Sequence, residues 1–114
     1  MAKDDMHVVI FKILAYIYDC MKSGKTVDKD VIGYESLEIP EPYWIQIMSE
    51  LQSRGYVTGI SVKATTTRTF VCTSDPKVTL DGVEFLMENS MMSKAARLVA
   101  DTGDFFSKVV FPFI

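Results

Sequence analysis

Two β-rich runs separated by only three residues are the feature that most constrains the fold of this chain. Apolar and polar side chains alternate over residues 56–63, and a second run rich in β-branched and aromatic residues covers 67–73. Parallel strands need a crossover of a dozen or more residues, whereas residues 64–66 leave room only for a tight turn. The two runs therefore predict an antiparallel hairpin, which the turn-forming sequence Ser-Asp-Pro at 74–76 is expected to end.

Helical periodicity dominates the residues before this hairpin. Apolar side chains recur at i, i+3, i+4 and i+7 across the range Met6–Met21, which predicts a first helix over residues 4–23. Proline is tolerated in the first turn of a helix, so Pro42 and the apolar face behind it predict another helix over 41–54. The mixed residues 26–32 between these helices predict a very short strand followed by one helical turn.

Two further helices are predicted after the hairpin. Thr79 has the side chain of an N-cap, and we expect a helix from there to Asn89, followed by another over 91–110. The order of helix, short strand or turn, helices, hairpin and helix is that of a winged helix-turn-helix. We therefore predict an α+β fold with about four to five helices and a hairpin sheet of about two to three strands. Residues 1–90 would form the winged-helix domain, and 91–114 an amphipathic helix with an apolar tail.

Charge is distributed unevenly along the chain. Its 12 Lys and Arg against 15 Asp and Glu give a net charge of −3, so the molecule lacks the basic character typical of non-specific nucleic-acid binding. Residues 26–53 hold one cation and six anions, whereas residues 54–77 hold four cations and one anion. The second segment therefore favours contact with nucleic-acid phosphates, and the first favours a protein partner.

Side chains that could support catalysis or bind a metal are sparse. His7 is the sole histidine, it lies near the start of an amphipathic helix, and no Ser/His/Asp or Cys/His arrangement accompanies it. Cys20 and Cys72 lack metal-ligand spacing, and we expect both to be reduced thiols in the core. The sequence thus predicts a non-enzymatic protein without a cofactor or a metal.

No segment of the sequence predicts contact with a membrane. The first seven residues are polar and acidic and do not resemble a signal peptide. The apolar run Val8–Tyr18 contains Lys12 and is shorter than the ~20 residues that a membrane span needs. We therefore expect a cytoplasmic protein.

A stretch in the second half of the chain carries a family resemblance. Residues 78–98, VTLDGVEFLMENSMMSKAARL, resemble the helix-turn-helix segment of the YjcQ-like family of bacterial and prophage proteins. The pattern LxxxGY at 51–56 is also similar to that family, and the ENS turn at 88–90 followed by KAA at 94–96 makes the resemblance more specific. Together these segments cover residues 40–100. The resemblance implies a small winged-helix fold and a prophage or host accessory setting, and it carries over no functional residue.

The helix predicted over 41–54 is the element that would enter a major groove in a winged helix. Gln46 lies on its exposed face and has the side chain that reads adenine, but the helix contains no Lys or Arg for guanine or phosphate. Glu41 and Glu50 would repel the phosphate backbone. Phosphate contacts are instead predicted for four cations at the end of this helix and along the hairpin, which are Arg54, Lys63, Arg68 and Lys77.

Apolar side chains cover more than one face of the helix predicted after the winged-helix domain. One set repeats in heptad fashion, continues into the tail and predicts a dimer interface: Met91, Leu98, Phe105, Val109 and Phe111. The alternative is that the tail folds back over its own hairpin or first helix.

The sequence leaves two functions open. The leading hypothesis is a homodimeric, prophage-associated factor that binds duplex DNA in a transcription-related role. The alternative is a protein–protein interaction module, used in phage assembly or docking on a host factor, that binds an unknown protein partner and no DNA.

Overall fold

The computed structural model describes residues 4–88, which form four helices and one antiparallel sheet of two strands. In chain order the elements are α1 (Met6–Ser23), α2 (Tyr34–Leu37), α3 (Glu41–Ser53), β1 (Val57–Ala64), β2 (Thr69–Val78) and α4 (Leu80–Glu88). This is the predicted α+β class with a winged-helix arrangement, so the fold prediction is confirmed. The helix predicted over 91–110 lies outside the described residues.

α1 is the central element of the hydrophobic core. Its apolar side chains cover more than one helical face, because α3, β2 and α4 all contact it. The buried apolar residues of α1 are Val8, Val9, Ile10, Phe11, Ile13, Leu14, Ala15, Ile17 and Cys20. Full burial of a large apolar side chain contributes about 1.5–3 kcal/mol, so this helix anchors the fold. Gly24 ends it in a left-handed conformation with a φ of 70°.

α3 packs its apolar side against α1 and the hairpin. Ile47, Met48 and Leu51 are fully buried, as the helical spacing predicted. Tyr43 and Trp44, which were expected to face the core, are only half-buried and lie at its margin. The inner side of α3 is therefore structural, and its opposite side faces solvent.

The loop between α1 and α2, residues 26–33, differs from the prediction, because residues 26–28 form no strand and turns at 29–32 replace the expected helical turn. The N–H of Val31 donates to the carbonyl of Asp28 at 3.0 Å. The Oδ1 of Asp28 also accepts a hydrogen bond from the N–H of Asp30 at 3.0 Å. These bonds hold a turn after Asp28, and α2 begins only after Gly33.

The hairpin continues beyond the point where we predicted its end. The register slips where Gly59, with a φ of 81°, faces residues 74–76 across the sheet. Asp75 is left-handed there with a φ of 48°, and Pro76 has no N–H to donate. These features interrupt the pairing without ending it, and β2 resumes as far as Val78. The prediction that the hairpin stops at 74–76 is therefore wrong.

α4 begins at the base of the hairpin and packs beside α1. The Oγ1 of Thr79 accepts a hydrogen bond from the N–H of Gly82 at 3.2 Å, which confirms the predicted N-cap. Gly82 is buried so closely against the carbonyl of Tyr56 and the side chain of Val78 that a Cβ would overlap both. The rings of Tyr56 and Phe85 then meet at a centroid distance of 5.3 Å.

Candidate nucleic-acid interface

The exposed side of α3 carries negative charge and no positive charge. Gln46 is exposed on this helix, as predicted. Glu41 and Glu50 are its acidic residues, and no Lys or Arg occurs between residues 41 and 53. The carboxylate of Glu41 would repel an approaching phosphate, whereas that of Glu50 is paired with Arg54. The amide of Gln46 is what the helix offers to a base edge.

Gln52, in the last turn of α3, is engaged by the hairpin. Its Oε1 accepts a hydrogen bond from the N–H of Val62 at 3.0 Å. Reading adenine requires both the oxygen and the nitrogen of a side-chain amide, so this bond removes Gln52 from base readout. It also ties the end of α3 to the outer edge of β1.

Two of the four predicted phosphate-binding cations already face a carboxylate. The Nε of Arg54 lies 3.2 Å from an oxygen of Glu50, and the Nζ of Lys77 lies 3.2 Å from an oxygen of Asp75. The hydrogen bond with Glu50 is the main reason why the pKa of Arg54 is raised. Surface pairs of this kind are weak and can exchange for a phosphate, but each pair has no net charge.

Burial distinguishes two faces of the hairpin. Val62 and Val71 lie opposite each other and pack against the core. Side chains alternate between the faces of a strand, so the neighbouring pair of Lys63 and Phe70 projects from the other face. We call that other face the wing face. It is formed by Thr58, Ser61 and Lys63 of β1 and by Phe70, Cys72 and Lys77 of β2, with Arg68 at the turn.

The position of Cys72 on the wing face corrects one expectation. Cys20 is buried in α1, as predicted, whereas Cys72 is exposed. The physical reason is strand alternation, which places Val71 toward the core and its neighbour away from it. Cys72 is therefore an accessible thiol.

Lys63 and Arg68 are both neighbours of Phe70 in the hairpin. Lys63 is directly opposite Phe70 in the sheet, and the guanidinium carbon of Arg68 lies 5.4 Å from the ring centroid. A guanidinium over an aromatic face is held there by cation–π attraction. Within residues 4–88 no carboxylate forms an ion pair with either cation. The tip of the wing face is thus a small positive surface with an aromatic residue between its charges.

The turn that presents these charges is held by Thr65. Its N–H donates to the carbonyl of Arg68 at 2.7 Å, and its hydroxyl oxygen lies 3.1 Å from the N–H nitrogen of Arg68. The same hydroxyl accepts from the N–H of Thr67 at 3.3 Å. These bonds define the backbone from which Arg68 projects.

Lys77 lies on the same face toward the base of the hairpin, where its pair with Asp75 can exchange for a phosphate. It lies opposite Thr58, five residues before Lys63 along β1. At ~3.3 Å per residue, the cations span roughly 16 Å, which is about five base pairs of duplex at ~3.4 Å each. The wing face is therefore long enough to meet several successive phosphates.

The structure brings together only part of the predicted interface. Lys63, Arg68 and Lys77 share the wing face, whereas Gln46 lies on α3 and Arg54 caps the end of that helix. Sequence reasoning missed Phe70, because adjacent apolar residues at 70 and 71 do not show which one points inward. The position of Phe70 opposite Lys63 becomes visible only once the strand register is known.

The predicted dimer interface lies outside the residues that the structure describes, as does the whole segment 91–114. The residues concerned are Met91, Leu98, Phe105, Val109 and Phe111.

Two further observations apply to the described part of the chain. Among residues 4–88, no group of three His, Cys, Asp or Glu side chains is arranged to hold a metal ion. In the same residues, each helix is too short or too polar to cross a lipid bilayer.

Comparison with known proteins gives a single match. A family model described as YjcQ protein matches residues 11–104, a range that runs from within α1 beyond the end of α4. No match was found among the curated proteins or the solved structures. The family match agrees with the resemblance carried by residues 78–98.

Proposed function

Because the chain belongs to the YjcQ family and has a winged-helix arrangement, we propose that it is a non-enzymatic DNA-binding accessory factor that uses its wing face. The observation that carries the proposal is the separation of charge between two elements. Lys63, Arg68 and Lys77 project from one face of the hairpin, whereas α3 contains no cation. We expect the protein to act in the cytoplasm, in the prophage-related setting that the family resemblance implies.

The proposed contact is with phosphates rather than with base edges. Each cation that neutralises a phosphate releases condensed counterions, which favours binding and makes the affinity fall with salt. Arg68 is held over Phe70 before any contact is made, so less side-chain freedom is lost on binding. Binding through this face would show little preference for base sequence.

A salt titration of binding to a generic duplex tests this proposal. With three phosphate contacts, log affinity should fall with log salt at a slope of about −2.7, which is roughly a 40-fold loss between ~50 and ~200 mM salt. Fluorescence anisotropy with a labelled duplex measures this slope, and a second duplex of unrelated sequence should bind with similar affinity. If micromolar protein binds neither duplex at ~50 mM salt, the DNA-binding proposal is wrong.

The second candidate function is docking on a protein. The specific observation in its favour is the acidic segment 26–53, which holds one cation and six anions. Glu41 on α3 belongs to this segment and is exposed. A folded protein that fails to bind either duplex would favour this function, with phage assembly or a host factor as the setting.

Homodimerisation is proposed from the sequence pattern of residues 91–111 alone. Two copies would double the number of wing-face cations available to one duplex. Removal of residues 105–114 should convert dimers to monomers in multi-angle light scattering. Dimers that persist after this truncation would place the interface elsewhere.

A further inference from the structure

A groove runs along the free edge of β2, on the side away from β1. It has a volume of about 680 Å³, and its apolar side chains include Ile32, Trp44 and Val71. A second depression of about 490 Å³ continues along the same edge, and Thr73 and Lys29 line both. The opposite wall is the segment that leads into α2, where a third strand was expected from the sequence but does not form.

The backbone of β2 presents unpaired hydrogen-bonding groups to this groove. The N–H of Val62 points away from β2, since it donates to the side chain of Gln52. Val62 and its partner Val71 are therefore a non-hydrogen-bonded pair, so the N–H and C=O of Val71 point away from β1. Thr73, two residues further on, has the same orientation. Within residues 4–88 no group forms a hydrogen bond with these outward groups.

Exposed edges of this kind are usually protected by charges, prolines or bulges that prevent pairing with another chain. Here the bulge and Pro76 lie at the end of the groove, beyond the stretch from Val71 to Thr73. That stretch has no charged side chain and no proline. It is the part of the edge that another extended segment can join.

The wall opposite the edge is held in place before any segment binds. The indole Nε1–H of Trp44 donates to the carbonyl of Ile32 at 2.8 Å. The N–H of Asp28 donates to the hydroxyl oxygen of Tyr16 at 2.9 Å. A preformed wall reduces the ordering cost of binding.

The charge of the wall indicates what kind of segment fits. Asp30 and Glu35 line the groove together with one cation, Lys29, so its charged side chains have a net charge of −1. Within residues 4–88 neither carboxylate forms an ion pair. The wall also belongs to the acidic segment 26–53. A complementary segment therefore carries Lys or Arg beside the apolar side chains that contact Trp44.

We propose that the groove binds an extended, basic peptide segment of a partner protein, which adds to the edge of β2 as a third strand. Its backbone pairs with Val71 and Thr73, alternate apolar side chains contact Trp44, and its cations face Asp30 and Glu35. This site shares Cys72 with the wing face, but Lys63, Arg68 and Lys77 do not line it. Its occupation does not depend on DNA binding.

Trp44 and Cys72 provide two direct signals of binding. Trp44 is the sole tryptophan of the chain, and Cys72 lines the groove while the other thiol, Cys20, is buried. The probe is a capped heptapeptide of alternating lysine and valine, KVKVKVK. We expect a saturable change of Trp44 emission with a dissociation constant of roughly 0.1–1 mM, and slower alkylation of Cys72 in the bound state. Replacement of the lysines by glutamates, or N-methylation of alternate backbone amides, should abolish both signals.

A matched pair of proline variants tests the edge itself. Thr73→Pro removes an outward N–H inside the groove without removing an N–H that β1 uses, and should weaken peptide binding by about tenfold or more. Thr69→Pro removes an outward N–H beyond the groove and should change the affinity less than about twofold. Circular dichroism and thermal melting establish that both proline variants fold. The double variant Asp30→Asn with Glu35→Gln provides a milder test of how much charge contributes to peptide binding.

Three results would overturn the proposal. The first is the absence of both signals with KVKVKVK at about 1 mM. The second is equal binding of the lysine and glutamate peptides. The third is self-association in sedimentation that Thr73→Pro abolishes, which would show that a second copy of this chain occupies the edge.

Discussion

α3 and the hairpin are the two elements through which a winged helix contacts DNA, and they differ in how their charge is arranged. Both bury an apolar side against the core, with Leu51 in α3 and Val62 in β1. Their exposed sides are opposite in character, since α3 displays Glu41 and Glu50, and the wing face displays Lys63 and Arg68. The fold alone therefore does not show which of the two elements would bind DNA, because binding depends on the exposed side chains.

The two elements are also joined by a specific contact. Gln52 of α3 accepts a hydrogen bond from the backbone of Val62 in β1. α3, the helix that would read bases in a winged helix, thus uses the side-chain amide of Gln52 to support the hairpin. This contact gives α3 a part in stabilising the hairpin, while our proposal assigns DNA binding to the wing face.

The largest expected effect is on stability and tests the structural role of α3. Leu51→Ala removes a fully buried side chain between α3 and the hairpin and should lower the free energy of unfolding by about 2–5 kcal/mol. Urea denaturation followed by circular dichroism measures this change. Leu80→Ala is the control, because Leu80 is 73% exposed, and should change stability by no more than about 0.5 kcal/mol. A loss for Leu51→Ala as small as that of the control would contradict the role assigned to α3.

The next effect is on binding and tests the wing face. Lys63→Ala combined with Arg68→Ala should reduce the affinity for duplex DNA on the order of 100-fold at ~50 mM salt and lower the salt slope by about 2. Anisotropy titrations measure both quantities. Gln46→Ala on α3 is the matched control and should leave the affinity within about twofold, since a phosphate-directed contact does not use it. A larger loss of DNA affinity with Gln46→Ala than with the double variant would show that α3 rather than the wing face makes the main contact.

A smaller effect concerns the contact between the two elements. Gln52→Ala removes the acceptor for the N–H of Val62 and should lower the free energy of unfolding by about 0.5–1.5 kcal/mol. Gln46→Ala removes an exposed amide from the same helix and serves again as control. Equal melting temperatures for the two variants would show that the bond adds nothing to stability.

The smallest effect concerns the ion pair at the end of α3. Glu50→Gln releases Arg54 from its carboxylate and should raise DNA affinity by less than about tenfold, which is the scale of one additional phosphate contact. Glu84→Gln, on the exposed side of α4, makes the same charge change elsewhere and is the control. If both variants raise the affinity equally, net charge rather than a contact by Arg54 is the cause.

Much of the fold was predictable because its signals are local. The apolar spacing of α1 and α3 and the N-cap at Thr79 were all predicted, and the structure confirms them. The predictions fail where a local hydrogen bond or a change of strand register has more influence than the spacing of apolar residues. The residues after Asp28 form turns where one helical turn was expected, and residues 74–76 form a bulge where the hairpin was expected to end.

The candidate site was predictable only in part. The sequence identified Lys63, Arg68 and Lys77 as a basic group following an acidic segment. It did not show that these three share one face with Phe70, or that Cys72 is exposed there. Both facts depend on which residue of each adjacent pair points toward the core, and the apolar pattern at 70–71 does not determine that.

By itself, the sequence determined the order of the elements, the separation of acidic and basic segments along the chain and the absence of cations from α3. These are properties of neighbouring residues, and helical or strand periodicity shows them directly. Only the tertiary structure decided which cations are paired, which face of the hairpin is positive and which edge of β2 is open. These properties depend on strand register and on contacts between distant residues, such as the bond that joins Gln52 to Val62.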